Sequence, residues 1–180
     1  MSQVIFQLIT DDVAHPENLV NRLIIAVTKP KDNPATRWPV HVRVWFQLPD
    51  ETFEDTVWWP HSGMRVSYSE LPCDIKLALK DETGIDVIAG IECAIDAINS
   101  RAWYGFLSLA FDLVLIPTRR FWQWVYRRTG RTLFNGGRDV VCSTAADRIS
   151  KALGVDLFHD RAPSLITPAD FLSCKLLATL

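Results

Sequence analysis

The run Asp139-Val140-Val141-Cys142-Ser143-Thr144-Ala145-Ala146-Asp147-Arg148-Ile149 changes from an extended apolar stretch to helical spacing at a cysteine. That change predicts a strand-to-helix corner with the Cys142 thiol at the helix N-terminus. Cys142, Ala145, Ala146, Ile149 and Leu153 fall along one stripe, so the cysteine side of the helix faces a core, and Gly154 ends the helix. Upstream, Val40–Leu48 alternates as a strand does. His41, Arg43, Trp45 and Gln47 face one way, and Val42, Val44, Phe46 and Leu48 the other.

The flanking sequence builds an α+β chain around these two elements. Val4–Ile9 reads as a first strand, and Pro16-Glu17-Asn18 opens a helix with Leu19, Leu23, Ile24 and Val27 on one face. Pro49-Asp50-Glu51 turns a hairpin whose return strand is Thr52–Trp58, with a further strand at Met64–Ser69. Helical spacing covers Asp86 to Asn99, and a second, apolar helix runs from about Tyr104 to Leu115. Residues 117–138 look irregular, and Thr167-Pro168-Ala169-Asp170 caps a last short helix.

Composition narrows the function classes. At 180 residues and 48% hydrophobic, the chain suits one domain with a sizeable core. A formal net charge of −2 gives no general basis for nucleic-acid binding, and the cluster Arg119, Arg120, Arg127, Arg128 and Arg131 reads as a solvated face. Cys73, Cys93, Cys142 and Cys174 match no zinc spacing and contain no CxxC, so no metal and no cofactor are expected. The first ten residues lack a basic start and a long apolar core, which points to cytoplasmic synthesis without a signal peptide and to reduced thiols. The apolar run from Tyr104 to Ile116 is 13 residues, interrupted by Asp112 and closed by Pro117. It falls short of the roughly 20 residues that span a bilayer. A buried helix is preferred there over a membrane-dipping segment, and Phe121 to Tyr126 leave room for an exposed apolar surface, so that region 104–126 can dock on a partner or touch a membrane without crossing it.

A thiol is a weak nucleophile at neutral pH because its unperturbed pKa is about 8.5. A helix N-terminus favours the thiolate, and its N–H groups can hold a developing oxyanion. An imidazole can take the thiol proton and later protonate the leaving group. Cys142 and His41 are the candidates for these roles. A third group must fix the imidazole. Glu54 on the return strand is preferred over Asp55 and His61. Cys73, Cys93 and Cys174 read as structural, His15 and His159 as surface residues, and the tryptophans as core and interface, with Trp58-Trp59 next to the proposed site where they could line a substrate groove.

The order of these pieces resembles the circularly permuted papain-like cysteine hydrolases, a branch of the NlpC-type peptidase superfamily. The matching segments are Leu19 to Thr28, Arg37-Trp38-Pro39-Val40-His41-Val42, and Thr52-Phe53-Glu54-Asp55-Thr56. They continue with Trp103-Tyr104-Gly105-Phe106, Val141-Cys142-Ser143-Thr144 and Thr167-Pro168-Ala169-Asp170-Phe171. The resemblance implies Cys142 as nucleophile, His41 as base and Glu54 as the orienting residue. It also implies a permuted papain-like fold, a small antiparallel sheet packed against helices. Val40 departs from the small serine usual before the histidine. An apolar Trp/Arg-rich insertion at about 104–138 is longer than the family pattern.

The resemblance extends to phage tail-associated and lysis-associated members. It implies a cysteine peptidase or amidase that cleaves an amide in peptidoglycan stem peptides, carried in a virion. The alternative is a non-catalytic component of a phage tail tip that keeps the fold as a scaffold and meets its neighbours through residues 104–126.

Overall fold

The structure is a computed structural model that describes residues 3–47, 51–55, 64–67, 71–99, 103–104, 118–130 and 139–180, with the backbone alone at 51–55, 64, 103, 104, 139 and 140. It is an α+β arrangement in which helices pack on an antiparallel sheet. The strands of the larger sheet are β1 (Val4–Asp12), β2 (Arg37–Phe46), β3 (Glu51–Asp55), β4 (Met64–Ser67), β5 (Ile75–Leu79) and β8 (Leu177–Thr179). Their order is β4-β3-β2-β1-β5-β8, and every neighbouring pair is antiparallel. A separate two-residue parallel pair joins β6 (Trp103–Tyr104) to β7 (Asp139–Val140).

The pleat explains the core. Val4, Phe6 and Leu8 of β1 and Val42, Val44 and Phe46 of β2 alternate onto one face. There they meet α2 (Val87–Asn99), α4 (Cys142–Ala152) and α5 (Pro168–Leu172), which supply Ala94, Ala146, Ile149 and Phe171. The other face is held partly by polar pairing. Arg43 donates from Nε to Gln7 Oε1 at 2.7 Å across the β1–β2 ladder, and from Nη2 to the Pro72 carbonyl at 2.6 Å. Lys76 lies over the Trp45 ring, 5.5 Å from its centroid.

Helix α1 (Leu19–Thr28) starts where the sequence predicts, with the Asn18 side chain accepting the Asn21 N–H at 2.8 Å. Its buried face differs from the expected stripe. Ile24 and Ile25 pack with Trp38 and Val40, whereas Leu19 is 69% exposed and Leu23 is also exposed. Trp38 fixes this rotation, because its Nε1 donates to Thr28 Oγ1 at 2.9 Å.

Residues 117–138 are not irregular throughout, because α3 spans Arg119–Thr129. Its docked side chains are Trp122 and Tyr126, which pack on Ala162 and Leu165. Arg119–Thr129 is strongly amphipathic at helical spacing, a signal hidden by the turn-forming Thr129-Gly130 and Asn135-Gly136-Gly137 that follow. The apolar helix expected from Tyr104 to Leu115 lies outside the described residues after Tyr104, which itself belongs to β6.

Helices α2 and α4 approach closely at Gly90. A Cβ built there would lie 2.5 Å from Leu153 Cδ2 and 2.9 Å from its Cγ. Leu153 is fully buried and cannot retreat. Gly90→Val is therefore expected to lower stability by about 2–3 kcal/mol through overpacking. A thermal melt that superimposes on the parent's would contradict this close approach.

Candidate functional site

Cys142 is the first residue of α4, as the sequence indicates. Val141 precedes it in extended backbone (φ −96°, ψ 158°), and no side chain caps this end. The positive end of the helix dipole therefore acts next to the thiol. The helix is pinned in depth rather than at its cap. Ser143 Oγ donates to the Ile166 carbonyl at 2.7 Å, and Gly154, at φ +88°, ends the helix in a backbone region that favours glycine. Cys142 itself is 5% exposed and lies in the apolar cluster with Val42 and Val44.

His41 sits on β2, the strand across which α4 packs. It pairs with Ile9, and the next pair along the ladder is Thr10 with Pro39, so Val40 is an extra residue on β2. His41 is thus flanked by a β-bulge, a device that bends a strand and re-aims side chains. The pairing itself puts His41 on the Ile9 face of the sheet, while Val42, one residue on, faces the Cys142 cluster. The structure brings the histidine strand and the cysteine helix together, with the two residues assigned by the ladder to opposite sides of that strand.

Glu54 and Asp55 are on β3, with backbones opposite Arg65 and Met64 of β4. Their side chains are outside the described residues, as are His61, Trp58 and Trp59. All four cysteines are unbridged. Burial pushes the Cys93 thiol up, with Arg148 opposing and Asp96 reinforcing the shift, which suits an unreactive packing residue. Among the described residues, no group of three His, Cys, Asp or Glu side chains is placed to hold a metal ion. No described helix is long and apolar enough to cross a membrane.

Two acidic residues close to this region have surroundings that the sequence does not reveal. Asp147 lies on α4 and is 1% exposed. Its Oδ2 accepts from Lys151 Nζ at 2.8 Å, while its Oδ1 has no hydrogen-bond partner. Burial raises its pKa against the opposing pull of Lys151. Neither periodicity nor motif marks it, because in sequence it reads as one of the polar residues of an amphipathic helix.

Asp170 is the second. Its carboxylate accepts the Thr167 N–H and hydroxyl at 2.8 and 2.9 Å, pairs with Arg119 at 2.8 Å and also contacts Arg161. The T-P-A-D pattern signalled the cap, which is a full capping box. The two arginines arrive from α3 and the loop before α5, and only the fold brings them there. Burial alone would raise the Asp170 pKa. The charge and hydrogen bond of Arg119, the Thr167 N–H and Arg161 outweigh it and hold the carboxyl below its usual value.

A depressed acid pKa stabilises the folded state above the unfolded value of about 3.9, and that stability is lost as pH falls through the folded value. Asp170→Asn is thus expected to cost about 2–3 kcal/mol at neutral pH, less than a fully buried pair because both arginines are about one third exposed. The gap from the parent should narrow below about pH 4. Melting curves across pH check this, and a gap of constant size would refute the ionic contribution.

Compared with known proteins, the chain matches no family model, no curated protein and no solved structure.

Proposed function

We propose that this protein is a thiol hydrolase of the permuted papain-like type that cleaves an amide bond, with a peptidoglycan stem peptide as substrate. One observation carries the reading. A cysteine occupies the first residue of a helix laid across the strand that bears His41, beside a bulge in that strand. This mechanism requires the bulge at Val40 to carry the His41 imidazole to the Cys142 side of β2, where it takes the thiol proton and the thiolate attacks the amide carbonyl. The backbone N–H groups at the start of α4 hold the oxyanion, and His41 protonates the departing amine as the C–N bond breaks. The thioester left on Cys142 is then opened by water. His41 takes the water's proton and returns it to the sulfur as the acid leaves. Glu54 serves to orient the imidazole.

The scaffold reading has observations of its own. Cys142 is buried among apolar side chains, and the β1–β2 ladder aligns His41 with Ile9. Here the protein would be a structural component, such as part of a phage tail tip. Incubation with purified peptidoglycan separates the two. The hydrolase releases muropeptide fragments with new free amines, and release stops when the thiol is alkylated. Peptidoglycan recovered unchanged would leave the scaffold reading standing.

A further inference from the structure

We propose that the outward face of α3 is a docking surface for an anionic lipid membrane. Helix α3 is fixed to the body along one side by Trp122 and Tyr126 and by the Arg119–Asp170 ion pair. Gln123 adds hydrogen bonds to the Asp160 carbonyl and, at 3.3 Å, from the Ala162 N–H. The opposite side presents Arg120, Phe121, Trp124, Arg127 and Arg128, all exposed, with the two rings at 56% and 55%. At 100° per residue these five fall on one continuous arc.

Three cations on that arc call for an anionic partner, and two large exposed rings call for an apolar one. The headgroup and acyl boundary of an anionic membrane supplies both. A nucleic acid would need an open ring face for base stacking. Trp124 has Phe121 stacked on it from the preceding turn, with centroids 6.3 Å apart and planes 27° apart. The Arg128 guanidinium lies over the same ring from the following turn, 5.5 Å from the centroid. Both contacts take up surface of the Trp124 ring, and the exposed remainder of the two rings is flanked by guanidinium groups, as on a helix that lies in a membrane interface. This proposal stands apart from the hydrolase reading.

The test is co-sedimentation of the whole chain with phosphatidylcholine vesicles, pure or carrying about one third phosphatidylglycerol. Binding is expected to the anionic vesicles alone. It should fall about a hundredfold in Arg120→Gln/Arg127→Gln/Arg128→Gln, each arginine contributing roughly fivefold. It should fall about tenfold in Phe121→Ala/Trp124→Ala, in which every charge is retained. Equal binding to both vesicles, unaltered binding of the arginine variant, or tighter binding to a single-stranded oligonucleotide at the same salt would overturn it. If either variant fails to fold, the parent decides. Release from anionic vesicles between about 0.1 and 0.5 M salt is expected, and salt-independent binding would overturn the proposal.

Discussion

Cys142→Ala is expected to reduce peptidoglycan hydrolysis at least about a thousandfold, which corresponds to about 4 kcal/mol of transition-state stabilisation. The size follows from the covalent mechanism. Without the sulfur no thioester forms, and what remains is substrate binding and the helix N-terminus. The fold should survive, because the change removes one sulfur from a large cluster whose bulk comes from branched and aromatic side chains. A stability loss of about 1 kcal/mol is expected, and thermal melts check it. Cys142→Ser keeps the shape and supplies a much weaker nucleophile, so it should be nearly as inactive. His41→Ala belongs in the same series. If hydrolysis persists in it while Cys142→Ala is dead, the imidazole on the Ile9 face is not the base, and another group activates the thiol. Full activity in both variants would dismiss the proposed pair.

Phe171→Ala carries the largest expected loss of stability, about 3–5 kcal/mol. Phe171 is fully buried and contacts two other rings. Phe158 meets it edge-on with centroids 5.0 Å apart, and Phe6 of the central strand lies tilted at 5.7 Å. Helix α5 has five residues, too few to be stable by itself. It is held by this ring and by the Asp170 carboxylate one residue earlier. Loss of the ring should therefore detach the segment that also anchors Arg119 and Ser143. At roughly 2–4 °C per kcal/mol for a chain of this size, the melting temperature should drop by about 6–20 °C. Leu172→Ala, next in sequence but exposed, should change stability by less than about 1 kcal/mol. Equal effects of the two substitutions would contradict the role of α5 as a buried plug.

What could be read from the sequence was governed by short-range periodicity. The alternation around His41 yields the two faces of β2, because each side chain's direction depends only on its neighbour's. The Cys142 helix is found from its first residue to Gly154 for the same reason, as its start, stripe and stop all lie within thirteen residues. Strands β5 and β8 were not anticipated. Ile75–Leu79 becomes a strand by pairing with β1, some seventy residues earlier, and Leu177–Thr179 by pairing with β5. The exposure of Leu19 and Leu23 in α1, where Ile24 of the same stripe is buried as expected, has a similar origin. Leu19 and Leu23 have the right spacing, but Trp38 from a distant strand decides which side is covered. At the candidate site, local pattern located Cys142 and His41, whereas the bulge at Val40 is a property of pairing with β1 and is invisible in β2 alone.

The order of the larger sheet has a consequence for biosynthesis. Of the strands in this sheet, β1 is made before the rest and is an inner strand, with β2 on one side and β5 on the other, and β5 in turn waits for Leu177–Thr179, about a hundred residues later. A nascent chain that has made only β1 to β5 still exposes a bare sheet rim and lacks the cysteine helix that seals the core. Such intermediates are sticky and slow to mature. This protein should therefore depend on holdase chaperones during translation more heavily than a chain of equal length built from local hairpins.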